Sequence, residues 1–286
     1  MTGDPTLVVL AAGQAKRFGG GLKPLARIGP NGEAILDMVA SDAVGAGFGV
    51  IVLVVSPATG PIIRRHVETN WPSAIDVRFC VQRAAKGTVD AALAAWPQVG
   101  ALTTFGVANA DDLYGTEALG LLAEHLCRHD AGNGLVAFRL DRATTGTSPV
   151  TRGICEVTDA GALARIDERR DVMPRADGNF ESADGRGPPN LDPNSLVSMN
   201  LWALSTRLEG ELRDAMGAPG EDEVLLPEWV SSIVARVTEP ITFDVIPTES
   251  RCIGVTHADD VPLVSKEVSD QIVSGLRPQT LWSGTP

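Results

Sequence analysis

The chain has 286 residues, 44% of them hydrophobic and 21% charged, with 24 Lys and Arg against 36 Asp and Glu for a net charge of −12. That length and apolar content suffice for a sizeable core and exclude a disordered chain, while the acidic balance excludes nucleic-acid binding through a broad basic surface. No apolar run reaches the roughly 20 residues of a membrane helix, so a soluble protein with no membrane partner is expected.

The N-terminal segment MTGDPTLVVLAAG has an acid before its apolar run and no basic region, so it does not read as a secretory signal and a cytoplasmic protein is expected. Cys80, Cys127, Cys155 and Cys252 are widely spaced with no CxxC pair, as reduced thiols would be, and the 4 histidines are scattered.

Thr6 to Ala12 (TLVVLAA) is a continuous apolar run ending at Gly13, the pattern of a strand buried on both faces. Ala34 to Ala46 has helical spacing, and Val50 to Ser56 (VIVLVVS) predicts a second buried strand. A short helix over Ile62 to Glu68, a strand over Asp76 to Val81, a helix over Thr88 to Trp96 and a strand over Thr103 to Ala108 follow. This alternation predicts an α/β fold with a doubly wound, mostly parallel, Rossmann-like sheet, whose strand C-termini share one ligand-binding edge.

Glu117 to His129 reads as a helix, and Gly134 to Leu140, Arg152 to Val157 and Ser198 to Leu204 as strands. Residues 171 to 195, rich in Pro, Gly and polar residues, read as a loop or excursion. Helices over Arg207 to Met216 and Leu225 to Ala235, a strand over Thr242 to Pro247 and a terminal helix over Val261 to Leu276 complete the reading. No linker divides the chain, so a single domain is expected, with its halves meeting near residue 115.

The most informative segment is Leu10 to Leu25, LAAGQAKRFGGGLKPL. A glycine-rich turn after a buried strand presents backbone N–H groups as an anion cradle. Neither GxxxxGK[ST] nor GxGxxG is present, so the loop is not a P-loop or a dinucleotide fingerprint. Lys16, Arg17 and Lys23 in this turn of an acidic protein point to a polyphosphate.

LAAGxxxRxGGxxKPL resembles the signature loop of the sugar-phosphate nucleotidyltransferases, a GT-A type fold. Seven further blocks are similar, in order, to one bacterial branch of NTP transferases: GPNGEAILDM, AKGTVDAAL, NADDLYG, TRGICEV, LVSMNLWAL, EVLLPEWV and IGVTHADD. The resemblance implies transfer of NMP from an NTP to a sugar 1-phosphate, with Mg²⁺ as cofactor and pyrophosphate as product. A cyclitol, amino-alcohol or amino-acid-derived phosphate as acceptor and a silent nucleotide-binding regulator are the alternatives; a homo-oligomer is compatible with either.

By the same resemblance, Leu10, Ala11, Ala12, Gly13 and Gln14 wrap the triphosphate, Arg17 holds the leaving pyrophosphate and Lys23 contacts the α-phosphate. Ala15 replaces the family's second glycine. In NADDLYG, Asn109 belongs to the nucleotide side and Asp111 matches the metal aspartate, with Asp112 the runner-up and a helix-capping pair the competing reading. The second metal ligand falls in GVTHADD, where His257 is the candidate beside Thr256, Asp259 and Asp260. Gln82, Gly87 and Thr88 resemble the nucleobase segment. Glu168 and Arg169 in IDERRD take the places of the family's sugar and phosphate contacts, with an exposed charge run as the competing reading. Glu156 and Asn200, at neighbouring strand ends, complete the expected acceptor side.

Overall fold

The computed structural model describes residues 4–13, 21–129, 131–144, 146, 148–217, 223–238, 241–255 and 258–282. Its strands are β1 (Thr6–Leu10), β2 (Val50–Val55), β3 (Asp76–Val81), β4 (Thr104–Asn109), β5 (Asp112–Leu113), β6 (Asn133–Arg139), β7 (Val150–Val157), β8 (Leu163–Pro174), β9 (Phe180–Ser182), β10 (Asn190–Leu191), β11 (Leu196–Ser205), β12 (Phe243–Thr248) and β13 (Ile253–Gly254). The helices are α1 (Ile35–Gly45), α2 (Gly60–Asn70), α3 (Gly87–Ala94), α4 (Trp96–Val99), α5 (Thr116–Cys127), α6 (Glu209–Met216), α7 (Leu226–Val234) and α8 (Val261–Val273).

The apolar runs near the N-terminus become a parallel block. β1 pairs in parallel with β2 and β4, and β2 with β3. Along β1, Leu7 and Val9 enter one core with α1, α2, α5 and α8, while Val8 faces the other with α3, α6 and α7. A strand covered on both faces has no polar alternation to display, hence the continuous run. The sheet is doubly wound here, as the sequence implies.

Beyond β4 the sheet turns antiparallel. Its order is β10-β9-β8-β7-β11-β4-β1-β2-β3, with β6 on β11 and β12 parallel to β6. The long strand β11 changes neighbours part-way along one edge. Trp202 to Ser205 pair with β4, whereas Val197 and Ser198 pair with β7. Against β6 the register shifts between Ser198 and Trp202, and Asn200 adopts φ of +59°. That irregularity opens a gap between the end of β4 and the start of β7.

The segment 171–195, expected as a loop or excursion, carries three short stretches of strand. β8 extends to Pro174, and β9 and β10 add a hairpin at the outer edge. β8 is hard to see in the sequence because its buried positions, Leu163, Ile166, Arg169 and Val172, recur every third residue instead of alternating. Register shifts against β7 break the alternation at both ends of the run, and Arg169, on the opposite face from Ile166, is buried by the outer hairpin.

The C-terminal segment after α8 is strapped to α1. Arg277 donates two hydrogen bonds to the Asp42 carboxylate, at 2.6 and 2.8 Å, with both residues buried, and Trp282 packs on Trp71 at 5.3 Å between ring centroids. Removing one partner of such a pair leaves a buried charge uncompensated. Arg277→Ala should therefore destabilise the protein by about 3–5 kcal/mol in urea unfolding, and the double variant Arg277→Met/Asp42→Asn by clearly less.

Candidate active site

A cavity of about 260 Å³ lies at the C-terminal edge of the parallel block, over the gap in β11. Lys23, Asn109, Asp111 and Asp112 line one side, and Thr151, Arg152, Ser198 and Asn200 the other. Since β1 and β4 are adjacent and parallel, the loops after both strands are delivered to the same edge. The Ala110 N–H donates to the Leu10 carbonyl at 3.2 Å, so the two strand ends stay together beyond the last ladder pair.

Lys23 begins a 3₁₀ turn, Lys23–Leu25, in which Pro24 is buried. Its ammonium pairs with the Asp111 carboxylate, each side chain one-quarter exposed. Far apart in the sequence, these residues are brought into contact by the fold. Asp112 is placed differently. Its carboxylate accepts from Asn109 Nδ2 at 2.9 Å, and a Cβ at Gly254 would lie 2.2 Å from Asp112 Oδ1, so a side chain there would displace the carboxylate. Burial, with the Asp111 charge second, raises the Asp112 pKa to about 6.

Tyr114 ties this corner to β11. The Asn109 N–H donates to its hydroxyl, which donates to the Met199 carbonyl, both at 2.9 Å. The gap would otherwise strand these two backbone groups. Burial raises the Tyr114 pKa well above the usual tyrosine range, so the hydroxyl keeps its proton.

Among the expected nucleotide-side residues, Leu10, Ala11, Ala12 and Gly13 follow β1 to the edge, with Ala11 and Ala12 buried and Gly13 exposed. Gln14, Lys16 and Arg17 lie outside the described residues, as do Thr256 and His257. Gln82 is buried, and its amide NH₂ donates to the Gly87 carbonyl at 3.0 Å and to Asp90 at 2.9 Å. Both NH₂ hydrogens are thereby used, leaving Gln82 an acceptor oxygen. Gly87, at φ of +87°, packs against the Val224 backbone, and the Thr88 hydroxyl accepts from the Leu226 N–H at 2.7 Å at the start of α7. Gln82, Gly87 and Thr88 thus form one turn sewn to α7.

The acceptor-side expectations divide. Asn200 lines the cavity, and its side-chain oxygen accepts from Trp202 Nε1 at 3.2 Å. Glu168 does not line it; it sits on β8 opposite Gly153, which in turn faces Ser198 on β11, and pairs with Arg170 at 3.6 Å. Glu156 points to solvent with Arg165 at 2.8 Å. The assignment of Arg169 to an acceptor phosphate is corrected. Its side chain is 1% exposed and its guanidinium is consumed by Asp184 at 2.9 and 3.2 Å and by the Pro188 and Arg186 carbonyls, each at 2.9 Å. It fastens the outer hairpin to β8.

Sequence reasoning missed Arg152, although it quoted TRGICEV. Three of its donors bond backbone carbonyls: Nε and Nη2 reach Ala143 at 2.8 and 2.6 Å, and Nη1 reaches Thr151 at 2.7 Å. Burial lowers its pKa and the Asp112 charge partly restores it. Asp260, at the start of α8, also borders the cavity. Asp111 and Asp112 offer adjacent hard oxygens at the cavity, a donor set that suits a divalent cation needing only one or two protein carboxylates.

The raised pKa of Asp112 has a sign that can be checked. A carboxyl that titrates near 6 when folded and near 3.8 when unfolded binds more protons folded, so stability falls as pH rises from about 4 to 6. Relative to wild type, Asp112→Asn should be more stable above pH 6, by on the order of 3 kcal/mol, and the difference should vanish near pH 4. Melting in chelator at a series of pH values measures this.

Among the described residues no helix is long and apolar enough to cross a membrane. No curated protein matches the chain in sequence. Among solved structures, HddC from Yersinia pseudotuberculosis superposes with a TM-score of 0.62 at 16% identity, covering 92% of this chain and 99% of its own. HddC complexed with GMP-PN gives 0.59 at 17% over the same shares. The inositol-1-phosphate CTP transferase from T. maritima gives 0.65 at 14%, covering 91% of this chain and 95% of its own. These likenesses show a shared fold. The model of the MobA-like NTP transferase domain matches residues 7–224, most of the chain, and the chain belongs to that family.

Proposed function

We propose that the chain transfers a nucleotidyl group from an NTP to the phosphate of a small acceptor, a sugar 1-phosphate in the first instance. The contact of Lys23 with Asp111 at the junction of the parallel block and the β11 gap carries this reading. An acceptor phosphate oxygen attacks the α-phosphorus, the bond to the β-phosphate oxygen breaks, and pyrophosphate leaves with its electron pair. Charge balances between a phosphate dianion and NTP on one side and the nucleotidylated acceptor and pyrophosphate on the other, so no general base is needed.

The chain's own residues position and neutralise. Asp111 holds the Lys23 ammonium at the cavity, where it can meet an α-phosphate oxygen as negative charge gathers in the transition state. Gly13, exposed after β1, has no described atom within 4 Å of where a Cβ would stand, which suits a turn that admits phosphate. Arg17 is assigned to the leaving pyrophosphate by the resemblance of the loop. Gln82, with its NH₂ engaged, offers an acceptor oxygen to a base. Asp111 and Asp112 would hold Mg²⁺, which supplies neutralisation between the phosphates when bound.

A cyclitol phosphate is the second reading, favoured by the likeness to the inositol-1-phosphate CTP transferase. Direct competition between myo-inositol 1-phosphate and α-D-glucose 1-phosphate in one reaction separates the two by product mass.

Lys23→Ala should lower kcat for pyrophosphate release by at least about 10²-fold while NTP binding changes little. Turnover that survives this substitution would remove Lys23 from the mechanism. Lys23→Arg keeps the charge and should recover part of the rate.

A further inference from the structure

The cavity holds a second cation, which feels the Asp112 charge but forms no ion pair among the described residues. Lys23 is neutralised by Asp111. Arg152 is not: among the described residues it forms no ion pair, and its bonds go to the neutral carbonyls of Ala143 and Thr151. A guanidinium has five N–H donors, so three fixed by carbonyls leave two, on a group whose orientation is set and whose charge is intact. Burying such a charge is costly unless an anion completes the site.

Topology says which anion. Across the sheet the order runs β2, β1, β4, β11, β7, so Asp111 at the end of β4 lies between the phosphate loop after β1 and the start of β7. Val150 to Arg152 precede the residues of β7 that pair with β11, and line the cavity there. In-line displacement requires the attacking oxygen and the leaving pyrophosphate on opposite sides of the α-phosphorus. With the NTP phosphates on the β1 side, the attacking phosphate enters from the β7 side, toward Arg152.

We propose that Arg152 receives the acceptor's phosphomonoester dianion, the role that the family resemblance gave to Arg169. The assignment rests on the nucleotidyl-transfer reading of the same cavity. The two remaining N–H groups point the guanidinium's charge at phosphate oxygens, a match that a lysine ammonium makes less well. Asn200, across the cavity, faces the organic part of the acceptor. Arg152 acts on the nucleophile alone and makes no contact that NTP binding requires.

Inorganic phosphate is the probe, titrated by calorimetry into the full chain. Arg152→Gln should weaken phosphate binding at least tenfold and Arg152→Lys less, while NTP binding in both stays within about twofold of wild type. In turnover, KM for the phosphate acceptor should rise by the same factor with KM for the NTP unchanged. Equal phosphate affinity in Arg152→Gln and wild type overturns the assignment, and so does a parallel loss of NTP binding, which marks a structural role. Should the variants not fold, phosphate must protect Arg152 of the wild-type chain from phenylglyoxal; absence of protection also overturns it. If phosphate binding depends on Arg152 but the wild type releases no pyrophosphate with any NTP and acceptor, the anion site stands and the transfer reading falls.

Discussion

A strand that exchanges one neighbour for another along the same edge must leave some backbone unpaired where the exchange occurs. β11 does this between β4 and β7, and the positive φ of Asn200 with the register shift around it sets the width of the opening. The exposed groups are not abandoned: Tyr114 satisfies the Asn109 N–H and the Met199 carbonyl with one buried hydroxyl. Everything proposed for the site depends on this opening. It places the carboxylates after β4 between the loop of the parallel block and the antiparallel half.

Electrostatics then follow from position. A chain of net charge −12 gathers two cations at this cavity, Lys23 and Arg152, against Asp111, Asp112 and Asp260. Burial, with the Asp111 charge second, pushes Asp112 up to about 6. In the proposed reaction a divalent cation and phosphate anions would meet here, among these charges. The acidic total does not oppose a polyanionic substrate, because interactions at this range are set by the nearest groups and screened beyond about 10 Å.

The sequence displayed the parallel block plainly because strands buried on both faces leave continuous apolar runs, as in Leu7 to Val9 and Ile51 to Val55. Lys23, Asp111 and Asn200 were also legible, each lying in a motif at a predicted strand end or turn. β8 was not, since its bulged pairing with β7 breaks the alternation and the outer hairpin buries an arginine on it. The same strand explains why Arg169 is buried and structural, while Arg152, proposed for the acceptor phosphate, lines the cavity. In sequence both are arginines beside a strand, and only packing shows that Asp184 consumes one guanidinium while carbonyls merely orient the other. A charge pair formed across 15 residues of irregular chain leaves no periodic trace.

The central claim is that the gap joins an NTP to a second phosphate, and acceptor-dependent pyrophosphate release by the wild-type chain tests it most directly. Each of the four common NTPs, with Mg²⁺, is paired with a panel of sugar, cyclitol and amino-alcohol phosphates, and pyrophosphate is counted against nucleotidylated product. The account predicts release that requires one class of phosphomonoester and matches product one for one. Release at the same rate without any acceptor, or silence across the whole panel, would contradict it.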